Sequence, residues 1–176
     1  MRNFMDKMAH ATDVVVGRLG DICGALVLVM AFLIAVEVFM RYVIGRPPLL
    51  ADELSRYMLV AMTFLGVSYV WREKGHVRVE ALAVRLSREK ANRLRLVTLT
   101  IAFVLAVALF AGSLEFIARS FSQNRTSDSW MHVPLKWPES TIVIGFLLLA
   151  AQVGTSIWRA IGIVKSGGAL EQEAPK

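Results

Sequence analysis

Charged side chains that lie inside long apolar segments are the residues of this chain best placed for chemistry. Ionisable groups in such segments are costly, and they commonly carry protons or ions or pair with one another. An acid three or four residues before a base lies beside it on a helix, so the spacing here predicts ion pairs. The pairs are Glu37 with Arg41, Glu53 with Arg56, and Glu115 with Arg119.

Glu37 is the most deeply placed of these charges. It lies about six residues before the outer end of its apolar segment, which is about 9 Å at a rise of 1.5 Å per residue. A carboxylate at this depth suits a carrier of protons. Arg41 is one helical turn away, so a paired, structural Glu37 is the favoured interpretation and the proton carrier is the alternative.

Other chemistry is not indicated by the sequence. His10, His76 and His132 all lie outside the apolar segments, and Cys23 is the only cysteine. Facing histidines for a haem and a Cys/His metal cluster are therefore not expected. The sequence also lacks a phosphate-binding glycine loop and a nucleophile elbow. We predict a protein that is not an enzyme and binds no cofactor.

Four apolar segments must position these charges. Apolar residues make up 56% of the 176 residues, and the mean hydropathy is +0.54. A helix needs about 20 residues to cross the hydrocarbon core, and in lipid an apolar run of this length must be helical. The sequence therefore predicts an all-α membrane protein with four transmembrane helices. The predicted spans are Ile22–Val43, Leu54–Trp71 extended back to Leu49, Leu96–Ala118 and Ser140–Ile163.

The distribution of basic residues predicts the orientation. Fourteen Lys and Arg residues belong to the two termini and the connection between spans two and three, whereas only four belong to the other connections. By the positive-inside rule both termini are cytoplasmic. Residues 1–165 are expected to form a single membrane domain, and 166–176 a disordered tail. Because membrane anchoring accounts for the basic charge, no nucleic-acid partner is expected.

Two segments outside the spans have the pattern of amphipathic helices. Apolar residues recur every three or four positions from Phe4 to Leu19, which favours an interfacial helix before span one over a helical extension of that span. A second stripe runs from Val79 to Leu94, with Arg78 and Arg85 on its other face. We predict a basic interfacial helix between spans two and three, attracted to anionic lipid by about 1 kcal/mol per basic residue.

An ordered set of short motifs adds a resemblance to a known family. The set consists of Glu37 with Phe39-Met40-Arg41-Tyr42, then Ala51-Asp52-Glu53-Leu54-Ser55-Arg56-Tyr57, Thr63-Phe64-Leu65-Gly66 and Gly75-His76-Val77-Arg78-Val79-Glu80. With the four spans and the basic surface helix, it resembles the small membrane subunit, of the DctQ type, of tripartite ATP-independent periplasmic (TRAP) transporters.

The resemblance implies a partner subunit in the bacterial inner membrane. In that family a large membrane subunit carries substrate and sodium, and a soluble periplasmic protein delivers an organic acid. The small subunit packs against the scaffold of the large one, so sodium is expected in the partner and not in this chain. The candidate structural or partner-contact residues are Glu37, Arg41, Glu53, Arg56, His76, Glu115 and Arg119.

Other interpretations stay open at this point. A self-sufficient four-span exporter would use Glu37 to couple transport to protons. A membrane anchor of an electron-transfer complex would need haem-ligating histidines inside the spans. A structural anchor of some other membrane complex differs from the favoured interpretation only in its partner.

Overall fold

Four long helices make up most of the part of the chain that the structure describes. The structure is a computed structural model, and it describes residues 2–46, 50–73, 87–127, 129 and 132–165. The helices are α1 (Arg2–Phe39), α2 (Leu50–Arg72), α3 (Arg88–Ser122) and α4 (Lys136–Lys165). A turn of π-helix, Met40–Ile44, continues α1 and ends at Gly45, whose φ of 72° glycine adopts without steric cost.

Each of the four helices is long and apolar enough to cross a membrane, as the sequence predicts. The helices are longer than the predicted spans. α3 begins at Arg88 instead of Leu96 because no glycine or proline interrupts residues 88–96. α4 begins at Lys136 and contains Pro138 in its first turn, where a missing N–H costs no helical hydrogen bond.

The prediction of a separate interfacial helix before span one is wrong. α1 is a single α-helix from Arg2 to Phe39, so the N-terminal segment is an extension of the first span. Part of the stripe is used in packing: Val16 is fully buried, whereas Met8 and Val15 are about half exposed. Ala9, beside the stripe, is nearly buried. Since proline is absent from this stretch and one side of it packs within the protein, the helix has no reason to break.

Three further predictions fall largely or wholly outside the described residues. Of the basic helix predicted between Val79 and Leu94, the structure describes only the residues from Ser87 onward. Ser87 has an extended backbone, and α3 begins at Arg88. His76 and the predicted tail, 166–176, also lie outside the described residues.

The helices pack in the order α1, α2, α4, α3. Extensive contacts join α1 to α2, α2 to α4 and α4 to α3, and α1 also touches α4 over a smaller area. Below, the end of the bundle that holds Arg72 is termed the inner end and the end that holds Gly45 the outer end, following the sidedness that the charges predict.

Small residues let the helices approach closely, which is how helices associate in lipid. A Cβ on Gly145 of α4 would collide with the backbone carbonyl of Phe64 in α2. The rings of Phe64 and Phe146 meet edge to face at the same crossing, with centroids 5.3 Å apart. Gly17 and Gly20 of α1 likewise leave room for the side chains of Arg72 and Tyr69.

The outward surfaces of α1 and α3 are strongly apolar. Leu28 and Phe32 of α1 are 74% and 68% exposed, and Ile101 and Val104 of α3 are 64% and 63% exposed. Water does not stabilise such surfaces, so these faces belong against lipid or another membrane protein.

Candidate functional site

The pair Glu37–Arg41 lies at the outer end of α1. Glu37 is only 8% exposed, and its carboxylate accepts a hydrogen bond from the Arg41 guanidinium in an ion pair within the chain. Glu37 follows Val16, Cys23 and Met30 at intervals of seven, and Cys23 contacts α2 through the Met62 carbonyl. Glu37 therefore lies on the side of α1 that faces α2.

The prediction of an ion pair between Glu53 and Arg56 is wrong. Arg56 Nη2 donates to Asp52 Oδ2 at 2.6 Å, which is the residue four positions before it and exposed like Arg56. Glu53 is buried and accepts a hydrogen bond from the Tyr57 hydroxyl at 2.6 Å. A spacing of four aligns side chains on this helix better than a spacing of three, so two neighbouring pairs form instead of one.

Glu53 also holds the loop that follows α3. Its carboxylate accepts a side-chain hydrogen bond from Ser129, and Ser127 lies close enough to interact as well. The two serine hydroxyls are 2.7 Å apart. These serines were missed by sequence reasoning because a loop serine has no periodicity to mark it, whereas Tyr57 could have been found from its spacing of four after Glu53.

The loop has a defined shape around these serines. The Ser127 N–H donates to the Val133 carbonyl at 2.9 Å, and the Leu135 N–H donates to the Arg125 carbonyl at 3.0 Å. Thr126 and Pro134 form an isolated antiparallel bridge. The described residues on the two sides of the loop are therefore paired antiparallel, and Glu53 anchors the loop on α2 through Ser129.

The pair Glu115–Arg119 is present at the outer end of α3, where Arg119 Nη2 lies 2.5 Å from Glu115 Oε1. Both side chains are more than two-thirds exposed. In water an exposed pair of this kind stabilises a protein by about 0–1 kcal/mol. The structure does not bring this pair together with Glu37 or Glu53.

A second polar cluster at the inner end joins three helices, and sequence reasoning missed it. Asp13 of α1 accepts hydrogen bonds from Gln152 Nε2 at 2.8 Å and from Arg159 Nη2 at 2.5 Å. The Trp71 indole of α2 donates to Ser156 Oγ at 3.1 Å. The sequence held one signal: no Lys or Arg lies three or four positions from Asp13, so a partner on another helix could have been expected.

In the described helices, the middle turns hold no acidic, basic or histidine side chain that could relay protons. α3 has no charged residue between Arg95 and Glu115, and α4 has none between Glu139 and Arg159. Buried hydroxyls there bond to their own helix: Ser68 donates to the Leu65 carbonyl and Ser113 to the Phe110 carbonyl. Groups of three metal-ligating side chains are also absent among the described residues.

Apolar membrane-length helices, whose described polar clusters lie at the ends of the bundle, define a multi-pass helical membrane protein. Residues 30–162 match the family described as tripartite ATP-independent periplasmic transporters, DctQ component. The match covers most of the chain, so the chain belongs to this family. It is a family of transporter components and not of enzymes, and the tripartite transporters also comprise a large membrane subunit and a periplasmic binding protein. A comparison with curated proteins gave no match.

Proposed function

We propose that this small TRAP subunit is a fixed frame for the large membrane subunit during sodium-coupled uptake of an organic acid. A periplasmic binding protein delivers the acid, and the large subunit binds both the acid and sodium. On this proposal the chain resides in the bacterial inner membrane and holds no cofactor. Basic residues at the inner end, such as Lys90 and Arg93 of α3, rest on anionic lipid.

The observation that carries the proposal is the apolar middle of the bundle. A transporter must provide polar or charged groups at the depth where it binds its solute. In the described residues the buried carboxylates Glu37, Glu53 and Glu139 all lie at the outer end, and Glu37 and Glu53 are hydrogen-bonded within the chain. The chain is thus suited to holding a partner in place and not to binding a solute itself.

The exposed face of α1 supports a partner on that side. Leu28, Phe32, Phe39 and Val43 fall on one face at intervals of four and seven, and each is more than half exposed. The face continues through the π-turn, beside which Tyr42 is 81% exposed. Large apolar and aromatic side chains in a continuous stripe favour a protein neighbour as well as lipid.

Reconstitution tests the proposal. The chain, the large subunit and the binding protein encoded with it are placed in liposomes, and labelled organic acid is followed under a sodium gradient. We expect uptake only with all three components. A Phe32→Ala change should reduce co-purification with the large subunit, whereas Ile101→Ala on the exposed face of α3 should not. Uptake that proceeds without this chain would contradict the proposal.

A buried carboxylate in a span favours a second candidate, the proton-coupled exporter that uses Glu37. The ion pair with Arg41 opposes it, because the guanidinium occupies the carboxylate that a coupling proton would have to bind. Glu37→Gln separates the two candidates in liposomes that contain this chain alone. Proton-driven efflux that the wild type supports and the variant lacks would establish the exporter and exclude the frame.

A further inference from the structure

An open depression lies at the outer end, between the first turns of α2 and the loop that follows α3. Its volume is about 660 Å³, within the range of small-molecule sites. Two guanidinium groups, three hydroxyl groups and one apolar side chain form its walls. The lining residues are Arg56, Arg125, Thr126, Ser127, Ser129 and Leu135.

Arg125 brings a positive charge without an acidic partner among the described residues. Its side chain is exposed, and it makes no ion pair or side-chain hydrogen bond there. Its backbone is nevertheless fixed, since its N–H donates to the Ser120 carbonyl at 3.3 Å and its carbonyl accepts from Leu135 at 3.0 Å. The guanidinium is therefore attached to a backbone that two hydrogen bonds fix in place.

Arg56 lines the same depression and carries hydrogen-bond donors that its partner Asp52 does not use. Asp52 takes one hydrogen bond from its Nη2 at 2.6 Å, and a guanidinium carries five N–H donors. Glu53, a buried carboxylate of the same helix, is already bonded to Tyr57 and Ser129. Among the described residues, the remaining donors of Arg56 and the guanidinium of Arg125 are therefore open to an acceptor from outside the chain.

We infer that this depression binds a carboxylate group. The planar fork of a guanidinium matches a carboxylate in a bidentate geometry, and Arg is the residue that most favours such pairing. Leu135 supplies an apolar wall for the carbon chain beside the carboxylate. The carboxylate comes either from a free organic acid or from an acidic side chain of the delivery protein, and only the second source rests on the proposed function.

Matched arginine variants test the inference. Arg125→Gln removes the exposed guanidinium that lines the depression, and Arg119→Gln removes the same charge from the outer surface without touching the depression. For the free acid, the full chain purified in detergent is titrated with succinate by saturation-transfer NMR, with uncharged dimethyl succinate as the control ligand. For the side-chain source, the purified delivery protein is titrated onto the chain assembled with its large subunit.

Loss of one charge-assisted contact should weaken binding roughly tenfold in Arg125→Gln and leave Arg119→Gln unchanged. Succinate binding with this pattern supports the free acid as the source, and delivery-protein binding with this pattern supports the acidic side chain. If both variants bind the ligand equally more weakly, the effect is one of general charge. If Arg125→Gln changes neither titration, the depression is not a binding site. Either result overturns the inference. Each variant should still co-purify with the large subunit, so failure here is distinct from failure of the proposed function.

Discussion

Asp13 of α1 and Arg159 of α4 form an ion pair across 146 positions of the sequence, with Arg159 Nη2 2.5 Å from Asp13 Oδ2. Gln152, two helical turns earlier on α4, donates to the other carboxylate oxygen at 2.8 Å. The pair ties the N-terminal extension of α1 to the inner end of α4, although these two helices touch over only a small area. It explains why the extension is part of the bundle.

This pair should couple the stability of α1 to that of α4. In a double-mutant cycle with Asp13→Asn and Arg159→Gln, we expect a coupling energy of about 1 kcal/mol, because both side chains are partly exposed to solvent. The measurement is the free energy of unfolding during SDS titration of detergent micelles. Glu115→Gln and Arg119→Gln form the control cycle, in which both side chains are mostly exposed. Similar coupling in the two cycles would contradict a special role for Asp13.

The crossing of α2 and α4 should not tolerate a larger residue at Gly145. Gly145→Ala places a methyl group against the Phe64 carbonyl, and overpacking of this kind costs about 1–3 kcal/mol. Gly112→Ala is the matched control, since no atom lies within 4 Å of a Cβ at Gly112. That change should be neutral or stabilising by about 0.5–1 kcal/mol. Thermal unfolding followed by tryptophan fluorescence gives both values. Equal unfolding midpoints for the two variants would contradict the close contact between Gly145 and Phe64.

Glu53→Gln should loosen the outer loop. The amide keeps one acceptor oxygen but loses the charge that strengthens the hydrogen bonds from Tyr57 and Ser129. We expect faster hydrogen exchange at the N–H groups of Ser127 and Leu135, which bond across the loop. Asp52→Asn is the control, because Asp52 bonds only to exposed Arg56 among the described residues. Unchanged exchange in Glu53→Gln would show that the loop holds its shape without this anchor.

The predicted orientation can be tested through the single cysteine. In a Cys23→Ser background, Gln123→Cys in the outer loop should react with a membrane-impermeant maleimide in intact spheroplasts. Lys90→Cys near the start of α3 should react only after permeabilisation. Both positions are exposed in the structure, so accessibility differs only by side of the membrane. Labelling of Lys90→Cys alone in intact spheroplasts would reverse the orientation.

Sequence patterns were most reliable where one helix contains the whole interaction. The pairs Glu37–Arg41 and Glu115–Arg119 follow from a spacing of four and are present in the structure. The same reasoning failed for Glu53, because a spacing of three competes with a spacing of four and because Tyr57 and Ser129 are better partners. The N-terminal stripe was also misassigned, since an apolar stripe does not reveal whether lipid or α2 and α4 will cover it.

The sequence by itself determined that four helices cross a membrane, because in lipid every backbone amide must bond within its own segment and apolar length is then sufficient. Only the tertiary structure decided which helices are neighbours, that Asp13 meets Arg159, and that a loop serine binds Glu53. Burial of apolar surface does not drive helices together in lipid. Their pairing depends on the fit of residues such as Gly145 and on a few polar contacts, and neither produces a period that can be read along the chain.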